Sequence, residues 1–355
     1  MTDATSADFD ALDGDLAASV EAGIIAEGQA AGIAALARAR QTRREIEPVA
    51  FFRGLNDLFV ALGVGLLLAA TLILVPLLPA IGGVMIPVFV GLAEIITRQR
   101  RMIAPSLVLA VAVPLSVLLT AGGLVGKDQV MAGNTPIILA LIGLASAVAF
   151  YLRYRLPFSL FVAGLGTYGT LIVVWASTQG IMGAGFDREL FTAFAMEAAW
   201  IGIGCGIAGF VTAMAFDIRD PLRVTRLAHC GFWLHVLSAA ALVNAPLALL
   251  RIDGDFPVLP MMAVIATAAV IALIVDRRAF VMAGVATQGA IIFSLIDTGA
   301  RGGQATSAAL SLAILGAGVV VLGLGWRRIR RRLFRLLPGG TWRTRLPPVA
   351  GEVLD

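Results

Sequence analysis

The chain is short of charge, cysteine and histidine, and each shortage closes off a class of function. Only 14% of its 355 residues are charged, against roughly 25% in an ordinary soluble domain. Apolar stretches cover most of the sequence, so a soluble enzyme with one anchor is excluded. The two cysteines, Cys205 and Cys230, form neither a disulfide framework nor a metal-ligand pair by spacing. The only histidines, His229 and His235, lie six residues apart. On a helix they point about 240° from each other and cannot share a metal through that helix alone. No Ser–His–Asp set, HExxH, phosphate loop or CxxC occurs, so no catalytic residue, cofactor or metal is expected. Residues 1–30 hold seven acids and no Lys or Arg. A secretory signal needs a basic start and a short apolar core, and none is expected here.

What the chain has is apolar length. A membrane span takes about 20 apolar residues. Ten such stretches read as spans: 56–79, 80–97, 103–125, 135–152, 157–178, 191–216, 228–250, 256–275, 279–297 and 305–326. The expected fold is an all-α membrane protein of ten transmembrane helices. Alternating sides along the chain puts 23 of the 27 Lys and Arg on the side of the N-terminus, leaving Lys127, Arg188, Arg251 and Arg301 opposite. Basic residues near spans stay cytoplasmic during insertion, so both termini are expected in the cytoplasm. The Ala-, Gly- and Arg-rich composition fits a bacterial inner membrane.

Three regions are expected: a cytoplasmic helical segment at 1–50, a ten-helix domain at 51–326 and a basic cytoplasmic tail at 327–355. Residues 326–345 contain eight Arg and no acid. The stretch from Trp326 to Leu337 reads as a basic amphipathic helix whose expected partner, besides the bilayer, is anionic lipid headgroup. The high pI comes from this anchoring pattern and not from nucleic-acid binding. A small-molecule or protein partner remains unnamed at this level.

Residues 163–169 (AGLGTYG) match 283–289 (AGVATQG) at an offset of 120, each after an arginine pair, Arg153/Arg155 and Arg277/Arg278. At that offset spans 2–5 overlie spans 6–9. Four spans per copy implies a parallel 4+4 repeat about an axis normal to the membrane. Small residues at helix contacts give the same match through packing alone.

Polar groups within spans are costly and need a reason. Glu197 on span six and Asn244 on span seven lie at similar depth, so a hydrogen bond across that hairpin is expected, or a shared cavity. Gln288 and Tyr168 occupy matching repeat positions near mid-membrane, and with His235 they complete a candidate polar cavity. Glu94 sits four residues before Arg98, which an ion pair explains. The polar connection 217–235 adds Asp217, Asp220 and His229, with Asp220-Pro221 reading as a helix start. Gly204-Cys-Gly206-Ile-Ala-Gly209 fits G-x-G-x-x-G, but no strand precedes it and it sits mid-span, so its glycines serve helix contact.

The stretch Arg226–Asn244, with its Phe232-Trp233-Leu234-His235 core, resembles a segment of uncharacterised bacterial multi-pass membrane proteins. Those proteins also open with a short helical segment like residues 20–30. The resemblance implies a fold type and no activity.

Three functions fit these observations. One is a transporter or permease of a small substrate. The second is a non-transporting sensor, assembly factor or scaffold. The third is a membrane-embedded enzyme using residues 217–235. A shared polar cavity favours the first, singly satisfied polar groups the second, and convergence of His229, His235, Asp217 and Asp220 the third.

Overall fold

The computed structural model describes residues 14–45, 55–182, 188–220, 225–250, 258–283, 285, 303–336 and 340, and all regular structure among them is helical. The chain divides into two compact units, Met1–Phe51 and Phe52–Asp355. The first holds α1 (14–21) and α2 (Glu27–Glu45), an Ala-rich helix opened by a hydrogen bond from the Ala26 amide to Gln29 Oε1 at 2.9 Å.

In the second unit come α3 (Leu55–Leu74), α4 (Ala80–Ala93) with a π-helical extension (Glu94–Gln99), α5 (Ile103–Val125) and short α6 (Lys127–Val130). Next are α7 (Thr135–Tyr154), α8 (Phe158–Thr178), α9 (Arg188–Arg219), α10 (Arg226–Leu249) and α11 (Val258–Val275). The start of α12 is described at 279–283, and α13 is Gly303–Leu336.

Seven of the described helices are long and apolar enough to cross a bilayer: α3, α4 with its extension, α5, α7, α8, α9 and α10. An eighth follows if α13 is one span, bent by 85° between Leu312–Trp326 and Arg328–Leu336. The chain is therefore a polytopic α-helical protein suited to a membrane. The ten-span expectation goes further than this. The apolar helix α11, at 18 residues, is shorter than those seven, and most of 279–297 lies outside the described residues. So do most of 283–289, where the repeat would be read.

Two helices organise the packing. Buried residues make up 39% of the apolar stretch in α5 and in α10, against 17–22% in the other five spans. Around α5, Leu109, Ala112 and Val113 meet Val64 of α3, Phe89 and Ala93 of α4 and Phe150 of α7. Around α10, Ala239, Val243 and Leu247 meet Ala268 and Ala272 of α11, Phe280 of α12 and Trp326 of α13. Phe158 and Phe161 of α8 join the two groups by packing edge-on against Trp233 of α10, with ring centroids 4.7 and 6.0 Å away.

Three arginine-bearing hairpins share one turn design. Arg101 follows the π-extension of α4, Arg155 ends α7 and Asp276 ends α11, each with φ between 50° and 57°. Each lies in a three-residue connection to the next helix. A left-handed residue closes a helix and reverses the chain in little length.

Gly82 shows how tightly the spans pack. A Cβ there would lie 1.8 Å from Thr120 Oγ1, whereas at Gly83 nothing stands within 4 Å. Gly82→Ala is expected to destabilise the protein by about 1–3 kcal/mol through overpacking. Gly83→Ala should be neutral or slightly stabilising, as Ala is the better helix former by up to about 1 kcal/mol. Thermal melts in detergent of the two variants test this, and equal melting temperatures would contradict the close α4–α5 contact.

Candidate functional site: a buried Asp–His–Arg cluster

A buried polar cluster lies where α9, α10 and the α11–α12 turn meet, and small residues make it possible. Ala199, Gly202, Gly206, Ala213 and Asp217 are buried along one face of α9. A Cβ on Gly206 would meet Leu242, on Gly209 Ser238, and on Gly202 Ala245. Without side chains there, α9 and α10 approach closely along their length. The G-x-G-x-x-G pattern is thus a packing seam: Gly206 and Gly209 face α10, while Gly204 has nothing within 4 Å of its Cβ direction.

At the end of this seam Asp217 is 2%, His235 0% and Arg277 8% exposed. Arg277 grips the carboxylate in a fork, with Nη2 donating to Oδ1 at 2.6 Å and Nε to Oδ2 at 3.2 Å. His235 Nε2 is 3.0 Å from Oδ2. A carboxylate held by a guanidinium accepts, so this ring nitrogen carries the hydrogen. Arg277 Nη2 also donates to the Ala228 carbonyl at 3.1 Å, and so joins α10 as well as α9. Gly231 leaves the room: a Cβ there would lie 2.6 Å from Asp217 Oδ1. Phe210 and Phe280 pack on the imidazole, with centroids 5.5 and 6.2 Å away. A buried ion pair needs such close geometry and further hydrogen bonds to offset its desolvation.

The preceding residue in the turn, Asp276, faces the other way. Asp276 Oδ1 accepts from Trp326 Nε1 at 2.8 Å, and Arg330 Nη1 is 3.7 Å from Oδ2. Arg330 Nε donates to the Leu273 carbonyl at 3.0 Å.

The other residues singled out by sequence are placed apart from this cluster. Asp220 accepts from the Thr225 amide and hydroxyl, both at 2.7 Å. α10 starts at Arg226 with Thr225 as its cap, its hydroxyl accepting from the Leu227 amide at 3.2 Å, while Pro221 of the expected Asp220-Pro221 start lies outside the described residues. His229 is half-buried one turn inside α10. Among the described residues no group of three His, Cys, Asp or Glu is placed to hold a metal.

Glu94 binds Arg98 as expected and also accepts from Arg153 Nη2 of α7 at 2.8 Å. Glu197 is half-buried and Asn244 exposed, with Asn244 Nδ2 donating to the Ala240 carbonyl of its own helix at 2.6 Å. The α9–α10 contacts pair 202 with 245 and 206 with 242, which sets position 250 opposite Glu197. Asn244 is about six residues away along α10, roughly 9 Å of rise. The register of this glycine seam, which sets the end of α10 against Glu197, is what separates the two in depth. Tyr168 of α8 donates to the Ala198 carbonyl of α9 at 3.2 Å. Gln288 lies outside the described residues.

Comparison of the chain with protein-family models, curated proteins and solved structures finds no match.

Removing one partner of a buried ion pair strands the other charge, at about 3–5 kcal/mol. Asp217→Leu and Arg277→Met should each destabilise by roughly that amount, and the double variant by clearly less than the two together. Unfolding curves of the three variants in mixed micelles read the coupling. Additive effects would show that the pair does not hold these helices.

Proposed function

We propose that the chain is a multi-pass protein of the bacterial inner membrane that does not carry a substrate through itself, and that acts as a membrane sensor, assembly factor or scaffold. The observation that carries this reading is how its in-span polar groups are satisfied. Thr71, Ser106, Thr120, Thr170, Ser238 and Asn244 each donate to the carbonyl four residues earlier in their own helix. Such groups are satisfied by the backbone of their own helix and need no aqueous path. A cavity of about 300 Å³ between α10, α11 and α12 is lined by Leu242, Val243, Pro246, Val264, Ile271 and Phe280 among others, with no charged side chain in its wall.

A transporter is the second reading. A carboxylate, an imidazole and a guanidinium buried together are groups that move protons in membrane carriers, and the Asp217 cluster supplies all three. Access separates the two. In a chain lacking Cys205 and Cys230, single cysteines at Tyr168, Glu197 and Ser238 are expected to resist a water-soluble thiol reagent from both sides of the membrane. Reaction at two of these positions would establish an aqueous path and favour transport.

The orientation proposed is both termini inside. It rests on the arginine bias and on the arginine-bearing turns after α4, α7 and α11. In this orientation Gln129 and Gln179, both exposed, fall on the other side. Cysteines there should react with an impermeant reagent on intact spheroplasts, and one at Arg100 only after lysis. The reverse pattern would invert the topology.

A further inference from the structure

The end of α13 has two unlike faces. Trp326, Arg330 and Phe334 are buried, and Ile329 and Leu333 pack with them against the protein. Phe334 meets Met214 of α9 and Ile274 of α11. This face keeps an i, i+4, i+8 rhythm, and its one charge is held by Asp276 and the Leu273 carbonyl. The opposite face carries Arg328, Arg331, Arg332 and Arg335, all exposed, at the i, i+3, i+4, i+7 spacing of a single stripe. Arg278 of the α11–α12 turn is also exposed, with its guanidinium 5.5 Å over the Trp326 ring at the start of this segment.

Charge at this end of the bundle is sorted by depth. Asp217 is engaged by Arg277 and His235, Asp276 by Trp326 and Arg330, and Asp220 by Thr225. The acids are engaged inside while the arginine stripe faces outward. The 85° bend after Trp326 turns the stripe-bearing segment across the axis of the span before it. A segment perpendicular to a span lies along the membrane surface.

We propose that residues 328–335, with Arg278, form a binding platform for anionic phospholipid headgroups. The platform differs from an ordinary interfacial amphipathic helix. Such a helix sinks its apolar face into lipid, whereas here the apolar face is docked on α9, α11 and the α11–α12 turn. Only the arginine stripe remains for the bilayer, so binding is electrostatic and selects lipid by headgroup charge. Arginine suits the task because its planar fork matches phosphate oxygens in pairs. The proposal is independent of whether the chain transports, since it concerns a surface remote from the mid-span residues.

The test uses the full-length protein in neutral detergent, with phosphatidylglycerol and phosphatidylcholine as competing probes and native mass spectrometry as the readout. Wild-type protein should retain phosphatidylglycerol in preference, and raising salt should weaken that preference. Arg328→Gln/Arg331→Gln/Arg332→Gln/Arg335→Gln should lower it at least tenfold, on the order expected for surface arginines near anionic lipid. Equal retention of the two lipids by wild type, or an unchanged preference in the quadruple variant, would overturn the proposal. So would tighter binding of a single-stranded oligonucleotide than of phosphatidylglycerol. A second measurement needs no variant: backbone hydrogen exchange at 328–335 should slow when phosphatidylglycerol is added to phosphatidylcholine nanodiscs. Identical exchange in the two bilayers would sink the idea even if the quadruple variant failed to fold.

Discussion

One carboxylate decides how the second half of the molecule is assembled. Asp217 stands at the end of α9 where the helix has run 29 residues from Arg188, about 44 Å. That exceeds the roughly 30 Å hydrocarbon core of a bilayer, so a helix of this length can carry the charge at its end outside the hydrocarbon. There it is removed from water by protein and not by lipid. The structure answers the desolvation cost with an arginine fork, an imidazole and the glycine that admits them. Each donor comes from a different place: His235 from α10 and Arg277 from the turn after α11. If the carboxylate were absent, Arg277 would keep only the Ala228 carbonyl. Three elements would then lose their common point.

Apolar packing alone would not fix that arrangement. Between helices in lipid there is little hydrophobic driving force, and association rests on close fit and polar contacts. The α9 face is made of Ala and Gly, which fit many partners equally well. A seam of small residues permits sliding, and a charged contact at its end sets the register. The same division of labour appears in the first half. Gly82 and Gly123 let α5 approach α4 and Pro79, while Glu94 ties the end of α4 to Arg153 of α7.

The helical class and the positions of most spans were legible from apolar run length, and the ends of α5, α7, α8 and α10 fall within two residues of that reading. The Gly204–Gly209 pattern was also legible as packing, because a mid-span glycine has few other uses. The pairing of Glu197 with Asn244 was not. It assumed that the span ends at 191 and 250 meet level, whereas the contacts of Gly202, Gly206 and Gly209 set the end of α10 against Glu197, a register that apolar run length does not report. Asp217 and His235 were visible as candidates, but nothing in their spacing pointed to Arg277, 60 residues on. The available signal was an acid inside an arginine turn, Asp276-Arg277-Arg278. In a stop-transfer anchor the acid has no purpose, and here it is the acceptor for Trp326.

That turn connects the two polar features into one chain of contacts. Asp276 and Arg277 are neighbours in sequence, yet they bind on opposite sides: Arg277 inward to Asp217, Asp276 outward to Trp326 and Arg330. Asp276 has φ of 57°, a conformation unusual for a residue with a side chain but one that Asp tolerates better than most. The left-handed bend is what turns adjacent side chains apart. A helical continuation at this point would set them about 100° apart, and the arginine could not reach both Asp217 and Ala228 while the aspartate reached α13. The position of the C-terminal arginine stripe is therefore set through one backbone turn by the same residues that close the α9–α10 seam. The tail helix thus meets Asp276, and the adjacent Arg277 meets the Asp217 cluster, so the two contacts are one residue apart in the chain.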